Sequence, residues 1–174
     1  MRIIAGSLGG RRIEAPGGTR TRPTSDRVRE ALFSVLGDVA GMAVLDLFAG
    51  SGALGLEAIS RGAARATFVE RDAAALRALE ANLASLGVAA DVRGIDARTF
   101  ARNASSAGGP YDLVFVDPPY RDAARLSREL GLRPLLAAAG RVVVESHRSA
   151  PLEIDLPPTF ERRYGDTLIR IHGH

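Results

Sequence analysis

The chain contains no cysteine, which excludes a disulfide framework and a thiolate metal site. It contains no lysine either, so every one of its 23 basic side chains is an arginine. That substitution reads as a composition bias and says nothing about a site. No stretch approaches the ~20 consecutive apolar residues of a membrane span. The opening Met1-Arg2-Ile3-Ile4-Ala5-Gly6 lacks the longer apolar segment of a signal peptide. The histidines His147, His172 and His174 form no convincing ligand set, so no metal is expected. What these absences leave is a cytoplasmic globular protein without membrane contact. At 174 residues, 46% hydrophobic and 25% charged, it can bury one substantial core.

What is present is unevenly placed. The net charge is +3, yet residues 1–30 hold seven arginines against only Glu14, Asp26 and Glu30, leaving the remainder slightly acidic. A basic N-terminal segment suits a polyanionic partner, whose phosphates Arg11, Arg12, Arg22, Arg27 and Arg29 would neutralise. The competing reading is a solvated face. The segment has its own texture: Arg2–Gly6 and Arg11–Ala15 flank Gly9-Gly10 as a short hairpin would. After Pro16-Gly17-Gly18 and Arg22-Pro23, Thr24 or Ser25 can cap a helix. Its apolar positions are Val28, Leu32, Val35 and Leu36, its other face carries Arg27 and Arg29, and Gly37 stops it. Residues 1–40 are therefore read as an extension and residues 41–174 as the main domain.

From Met42 onward strands and helices alternate, the pattern of parallel βαβ units. Strands are expected near 43–47, 65–70, 90–94, 112–117 and 140–145. Helices are expected near 52–61, 73–86, 97–104 and 122–138. The second of these is clearest, with Asp72 as its cap and Leu76, Leu79, Leu83 and Leu86 as one core-facing stripe. Phe160–Arg163 and Thr167–Ile171 around Gly165-Asp166 read as a final hairpin.

Two strand ends carry chemistry. The apolar run Leu113-Val114-Phe115-Val116 delivers Asp117-Pro118-Pro119-Tyr120 to the carboxyl edge of the sheet, where open α/β folds bind ligands. The two prolines remove amide donors and stiffen the loop, so it becomes an acceptor surface. An exocyclic NH2 has two hydrogens, which the Asp117 carboxylate and the Pro118 carbonyl can each accept, while Tyr120 offers a ring for stacking. A plain proline-rich turn is the alternative.

The first strand ends in Val44-Leu45-Asp46-Leu47-Phe48 and enters Ala49-Gly50-Ser51-Gly52-Ala53-Leu54-Gly55, a G-x-G-x-x-G match, with Glu70 ending the next strand. By spacing alone this fits a dinucleotide site, hence an NAD-binding oxidoreductase. Asp46 argues against it: an acid at the loop mouth repels a pyrophosphate and suits the ammonium and sulfonium of S-adenosylmethionine. Glycines let the backbone approach that ligand, Glu70 can accept from ribose hydroxyls, and Asp96 can accept from the adenine amino group. Phe48, Ala49, Gly50, Gly52 and Ala97 complete the candidate cofactor-binding set.

With these motifs the chain resembles the class I S-adenosylmethionine-dependent methyltransferases, and within them the bacterial 16S rRNA (guanine(966)-N2)-methyltransferases. The resemblance rests on Met1–Gly6, Arg22-Pro23-Thr24-Ser25-Asp26-Arg27-Val28-Arg29-Glu30, Asp46–Ala58, Asp117–Tyr120 and Tyr164-Gly165-Asp166-Thr167; the glycine loop and Asp-Pro-Pro-Tyr assign the superfamily, and the N-terminal string narrows the substrate. Relatives often carry lysine where this chain has Gly9-Gly10-Arg11-Arg12, which retains charge. The resemblance implies a Rossmann-like α/β fold with a seven-stranded, mostly parallel sheet whose last strand is antiparallel. It implies cofactor contacts at Asp46, Gly50, Gly52, Glu70 and Asp96, with catalytic contacts to the target nucleobase at Asp117, Pro118 and Tyr120. It also implies that the extension engages 16S rRNA in the small ribosomal subunit or its assembly intermediate; a monomer is the default. Asp-Pro-Pro-Tyr chemistry alone does not distinguish a guanine from an adenine-N6 or cytosine-N4 target, in DNA or RNA. A non-catalytic RNA-binding module is the remaining class.

Overall fold

The computed structural model describes residues 1–15, 25–103, 108–119, 126–127 and 130–173. Arg22, Thr24, Tyr120, His174 and, from the helix expected at 122–138, residues 122–125 and 128–129 lie outside them. Seven strands form one sheet in the order β3-β2-β1-β4-β5-β7-β6. They are β1 (Ala43–Asp46), β2 (Arg65–Val69), β3 (Asp91–Arg93), β4 (Tyr111–Val116), β5 (Leu136–His147), β6 (Pro158–Tyr164) and β7 (Thr167–Gly173). The first five are parallel, and β7 runs antiparallel to both β5 and β6. β1 and β4 start a new direction of strand order beside each other, which opens a crevice at their carboxyl ends.

The helices are α1 (Asp26–Leu36), α2 (Ala53–Ser60), α3 (Ala73–Leu86) and α4 (Ala97–Arg102). Period-2 alternation along the strands splits the core into two layers. Val44, Phe68, Leu113, Phe115 and Val143 pack with α1, α2 and α3, while Leu45, Val69, Val114, Val116 and Val144 pack with α4. Ser25 caps α1 by accepting from the Val28 amide, and Asp72 caps α3 by accepting from Ala74 and Ala75. Leu79, Leu83 and Leu86 are buried as the stripe requires, and Leu76 is half-buried at the edge.

The expected N-terminal hairpin is reduced to one antiparallel bridge, Arg2 to Arg12. Ile3 and Ile13 from its two arms are buried in the same layer as α1, α2 and α3. The arm is bolted on by polar contacts as well. The Glu57 carboxylate on α2 accepts from the Ile4 and Ala5 amides at 2.7 and 3.1 Å, and from Arg61 Nε at 2.7 Å. Gly6 lies so close to the Ser60 carbonyl that a Cβ would sit 1.8 Å from its oxygen.

Two expectations are corrected. Arg29 does not share the exposed face with Arg27: it is fully buried, while Arg27 is exposed. The buried stripe of α1 is Val28, Arg29, Leu32, Phe33 and Leu36, and Val35 faces outward. The guanidinium donates to the Arg2 carbonyl and to Asp26, and burial lowers its pKa despite Asp26 and Glu57 nearby. It therefore holds the arm and does not reach a phosphate. The second correction concerns the chain before β5, where Arg133–Leu135 is a 3-10 turn and the strand already starts at Leu136, not near 140. Pairing of Leu136 with Tyr111 overrides the helical propensity of Leu136-Ala137-Ala138-Ala139, and a register shift follows before Arg141 pairs with Leu113.

Candidate active site

Asp46 stands opposite Phe115 in the β1–β4 ladder, so the acid at the end of β1 and the motif that follows β4 share one edge of the sheet. Asp117 is half-buried there, Pro118 buried and Pro119 half-buried. β4 therefore ends beside the strand that leads into the loop after β1.

That loop is fixed from several sides. Glycine at the N-cap of α2, Gly52, has no side chain to offer the first turn. Asp46 stands in: its Oδ2 accepts from the Gly55 amide at 3.0 Å while the side chain is 1% exposed. Glu70 Oε2 accepts from the Gly50 amide at 2.9 Å, and its Oε1 accepts from Arg71 and Asp72. Ala49 donates to the Val69 carbonyl and Gly52 donates to the Ala49 carbonyl. Burial, aided by the charge of Glu70 and only partly opposed by the Gly55 amide, pushes the Asp46 carboxyl up to about 7. A buried acid held near neutrality beside a second acid is an environment that a cation stabilises.

The three glycines play different parts. A Cβ on Gly52 would lie 2.5 Å from Leu79 Cδ1, and one on Gly55 would lie 2.3 Å from Phe68 Cε1. Both are small because helix and sheet pack closely; the Gly52 amide and carbonyl are spent within the turn and on Leu56. Only Gly50, at φ +55°, would point its Cβ into open space. The room for a ligand is thus over Gly50, and Gly52 shapes the loop from beneath. Ala49 is buried beneath the loop and Phe48 half-buried against the α4 layer.

Asp96 is engaged more heavily than the sequence suggested. It caps α4 through the Arg98 amide at 3.0 Å and pairs with Arg98 Nε and Arg71 Nη1, each at 2.9 Å. The Arg98 side chain is the main reason its pKa falls to about 2. It is a permanent anion with its first lone pairs already used, and Ala97 behind it is buried. Arg71 and Arg98 were not singled out in the sequence, where nothing but proximity along the chain marks them.

Asn82 was also missed, absorbed into the leucine stripe of α3. It is 2% exposed; its Nδ2 donates to the Ser51 carbonyl at 3.0 Å and to the Glu14 carbonyl at 2.9 Å, and its Oδ1 accepts from the Glu14 amide at 2.8 Å. The available signal was a lone amide among buried positions 75, 79, 83 and 86. Arg11 and Arg12 are exposed on the arm, with Arg11 Nη2 donating to the Ser85 carbonyl at 2.7 Å. An open pocket of about 500 Å³ is lined by Met1, Arg2, Arg12, Ile13 and Glu14 of the arm and by Asp26. Among the described residues no group of three His, Asp or Glu is placed to hold a metal ion, and no helix is long and apolar enough to cross a membrane.

The family described as conserved hypothetical protein 95 matches residues 1–172. The Bacillus subtilis protein named "Putative rRNA methyltransferase YlbH" is 38% identical over 181 residues, which is 99% of this chain and 98% of that one. The Escherichia coli K12 ribosomal RNA small subunit methyltransferase D is 48% identical over 122 residues, 70% of this chain and 61% of the relative. Among solved structures, "Putative methyltransferase yhhF" of Escherichia coli superposes with a TM-score of 0.79 at 37% identity, over 100% of this chain and 97% of the other.

Proposed function

The chain belongs to the conserved hypothetical protein 95 family, and from that premise we propose that it transfers a methyl group from S-adenosylmethionine to the exocyclic N2 of a guanine in 16S rRNA, guanine 966 by its resemblance. The observation that carries the reading is the adjacency of Asp117-Pro118 after β4 to the Asp46 loop after β1. Donor half and acceptor half of a transfer site lie on neighbouring strands. The names of its relatives, an rRNA small subunit methyltransferase among them, support the substrate class. A pyrophosphate would meet Asp46 and Glu70 together, which disfavours the dinucleotide reading.

The residues present fit the cofactor: Gly50 leaves room, Asp46 and Glu70 supply negative charge for its ammonium and ribose hydroxyls, and Asp96 follows the next strand as the cap of α4. When bound it supplies an electrophilic methyl on a sulfonium. Asp117 and the Pro118 carbonyl accept the two hydrogens of the guanine amino group, aim its nitrogen and favour a pyramidal geometry in which its lone pair is available. After transfer the nitrogen is cationic and acidic, and Asp117 or water takes the proton. Tyr120 stacks on a base withdrawn from its helix or loop.

Residues 1–40 act as the RNA-engaging extension, through Arg11, Arg12, Arg22 and Arg27, and residues 41–174 carry the chemistry. The substrate is the small subunit or its assembly intermediate, met in the cytoplasm. The test is Asp117→Ala: methyl transfer falls by at least about a hundredfold, while affinity for S-adenosylhomocysteine stays within a few-fold. Wild-type turnover in that variant overturns the role given to Asp117.

A further inference from the structure

Asn82 joins two parts of the molecule that have no backbone hydrogen bond to each other among the described residues. On one side is Glu14, two residues from the exposed Arg12 in the basic arm. On the other is the Ser51 carbonyl, between Gly50 and Gly52 in the loop after Asp46. The two links are not independent. Both hydrogens of one planar NH2 are committed, one to Glu14 and one to Ser51, and the Oδ1 of the same plane is held by the Glu14 amide. A shift of Glu14 therefore turns the amide and moves the donor to Ser51. Water has no easy way to stand in, because Asn82 is 2% exposed.

Nothing in the chemistry of transfer needs Asn82. Its amide is committed to the Glu14 backbone and the Ser51 carbonyl, so it acts on that loop through the backbone. A leucine at this place on α3 would fill the stripe but leave the Ser51 and Glu14 groups unpaired. The Arg11 bond to the Ser85 carbonyl, one turn further along α3, grips the same arm on the same helix. Load on the arm thus reaches α3 at two adjacent points, one of which is shared with the ligand loop.

We infer that Asn82 is a positioning residue through which occupation of the basic arm by RNA and seating of the cofactor at the glycine loop favour one another. The inference rests on the proposed function, since it takes RNA and S-adenosylmethionine as the two ligands. RNA phosphates on Arg11 and Arg12 hold the arm still, which fixes the Asn82 amide and with it the Ser51 carbonyl. By linkage the reverse holds equally: a filled loop tightens RNA on the arm.

The test is calorimetric titration of the whole protein with S-adenosylhomocysteine, with and without saturating in vitro transcribed 16S rRNA at fixed low salt. In the wild type, RNA tightens S-adenosylhomocysteine by about fivefold or more. In Asn82→Ala the ratio falls to about one. Because that variant also loses buried hydrogen bonds, Glu14→Pro serves as the second: at an exposed position it removes the amide that holds Asn82 Oδ1 and sets a ring carbon against that oxygen, while the carbonyl that accepts from Asn82 Nδ2 is kept. It is expected to keep the RNA-free affinity within about twofold and still lose the tightening. A purely structural role lowers thermal stability or both affinities and leaves the ratio intact. Wild-type protein that binds both ligands with a ratio of one overturns the inference and spares the function. Wild-type protein that binds neither ligand overturns the function and the inference with it.

Discussion

Replacing Asp46 by Asn should make the ligand-free protein more stable and the enzyme inactive. Asp46 is 1% exposed, so solvent does not screen its burial, and its carboxyl is pushed from 3.8 to about 7. Between those values the folded protein holds a proton that the unfolded chain has released. Stability due to this group is complete below the unfolded value, falls as pH rises through the window and is level above about 7. At 1.36 kcal/mol per unit, the whole window corresponds to about 4 kcal/mol, of which about 2 to 3 kcal/mol falls between pH 5 and pH 8. Asn has no charge to desolvate, and its Oδ1 can keep the bond from the Gly55 amide. Urea titrations of both proteins across that range should show the Asn variant gaining on the wild type as pH rises. The gain is a sizeable part of a typical stability of 5–15 kcal/mol. Titration with S-adenosylhomocysteine should show the opposite ranking, with wild-type affinity increasing up to about pH 7 and the variant weak throughout. A stability difference that does not change between pH 5 and pH 8 refutes the reasoning.

The other predictions concern packing and charge. Gly55→Ala should destabilise by about 1–3 kcal/mol, because its methyl meets Phe68 and the helix cannot move without breaking the Asp46 bond; chemical denaturation reads this directly, and an unchanged midpoint contradicts it. Charge reversal at Arg11 and Arg12 should weaken RNA binding and flatten its salt dependence by about two phosphate contacts, as filter binding over a salt series would show. Arg29→Met should leave that salt slope unchanged, since the guanidinium is buried against Arg2 and Asp26. An equal change of slope in both variants removes the distinction between arm surface and arm anchor.

Much of this was legible because it depends on local periodicity. Largely apolar runs followed by an acid placed Asp46, Glu70 and Asp117 at strand ends, Asp96 follows the short β3 as the cap of α4, and parallel strands put those ends on one edge. The tail hairpin was legible from its Gly165-Asp166 turn. What escaped depends on partners distant in sequence. Arg29 reads as a surface charge until the Arg2 carbonyl, 27 residues away, is seen to receive it. Asn82 looks like filler in a leucine stripe until Glu14 and Ser51 are brought to it from 68 and 31 residues away. The glycine motif was read correctly as a loop but its parts were not separable: spacing cannot say that Gly52 and Gly55 face Leu79 and Phe68 while Gly50 faces outward. At Leu136–Ala139, alanine-rich sequence favoured a helix, and pairing with β4 prevailed.

The central claim is the transfer of a methyl group to a guanine amino nitrogen, and one experiment reaches it most directly. Purified protein is incubated with methyl-labelled S-adenosylmethionine and small-subunit rRNA or subunits from cells lacking the modification, and the rRNA is digested and analysed by mass spectrometry. Label is expected in N2-methylguanosine at a single site, lost with Asp117→Ala. Label in N6-methyladenosine or N4-methylcytidine, or no label on any small-subunit substrate, contradicts it.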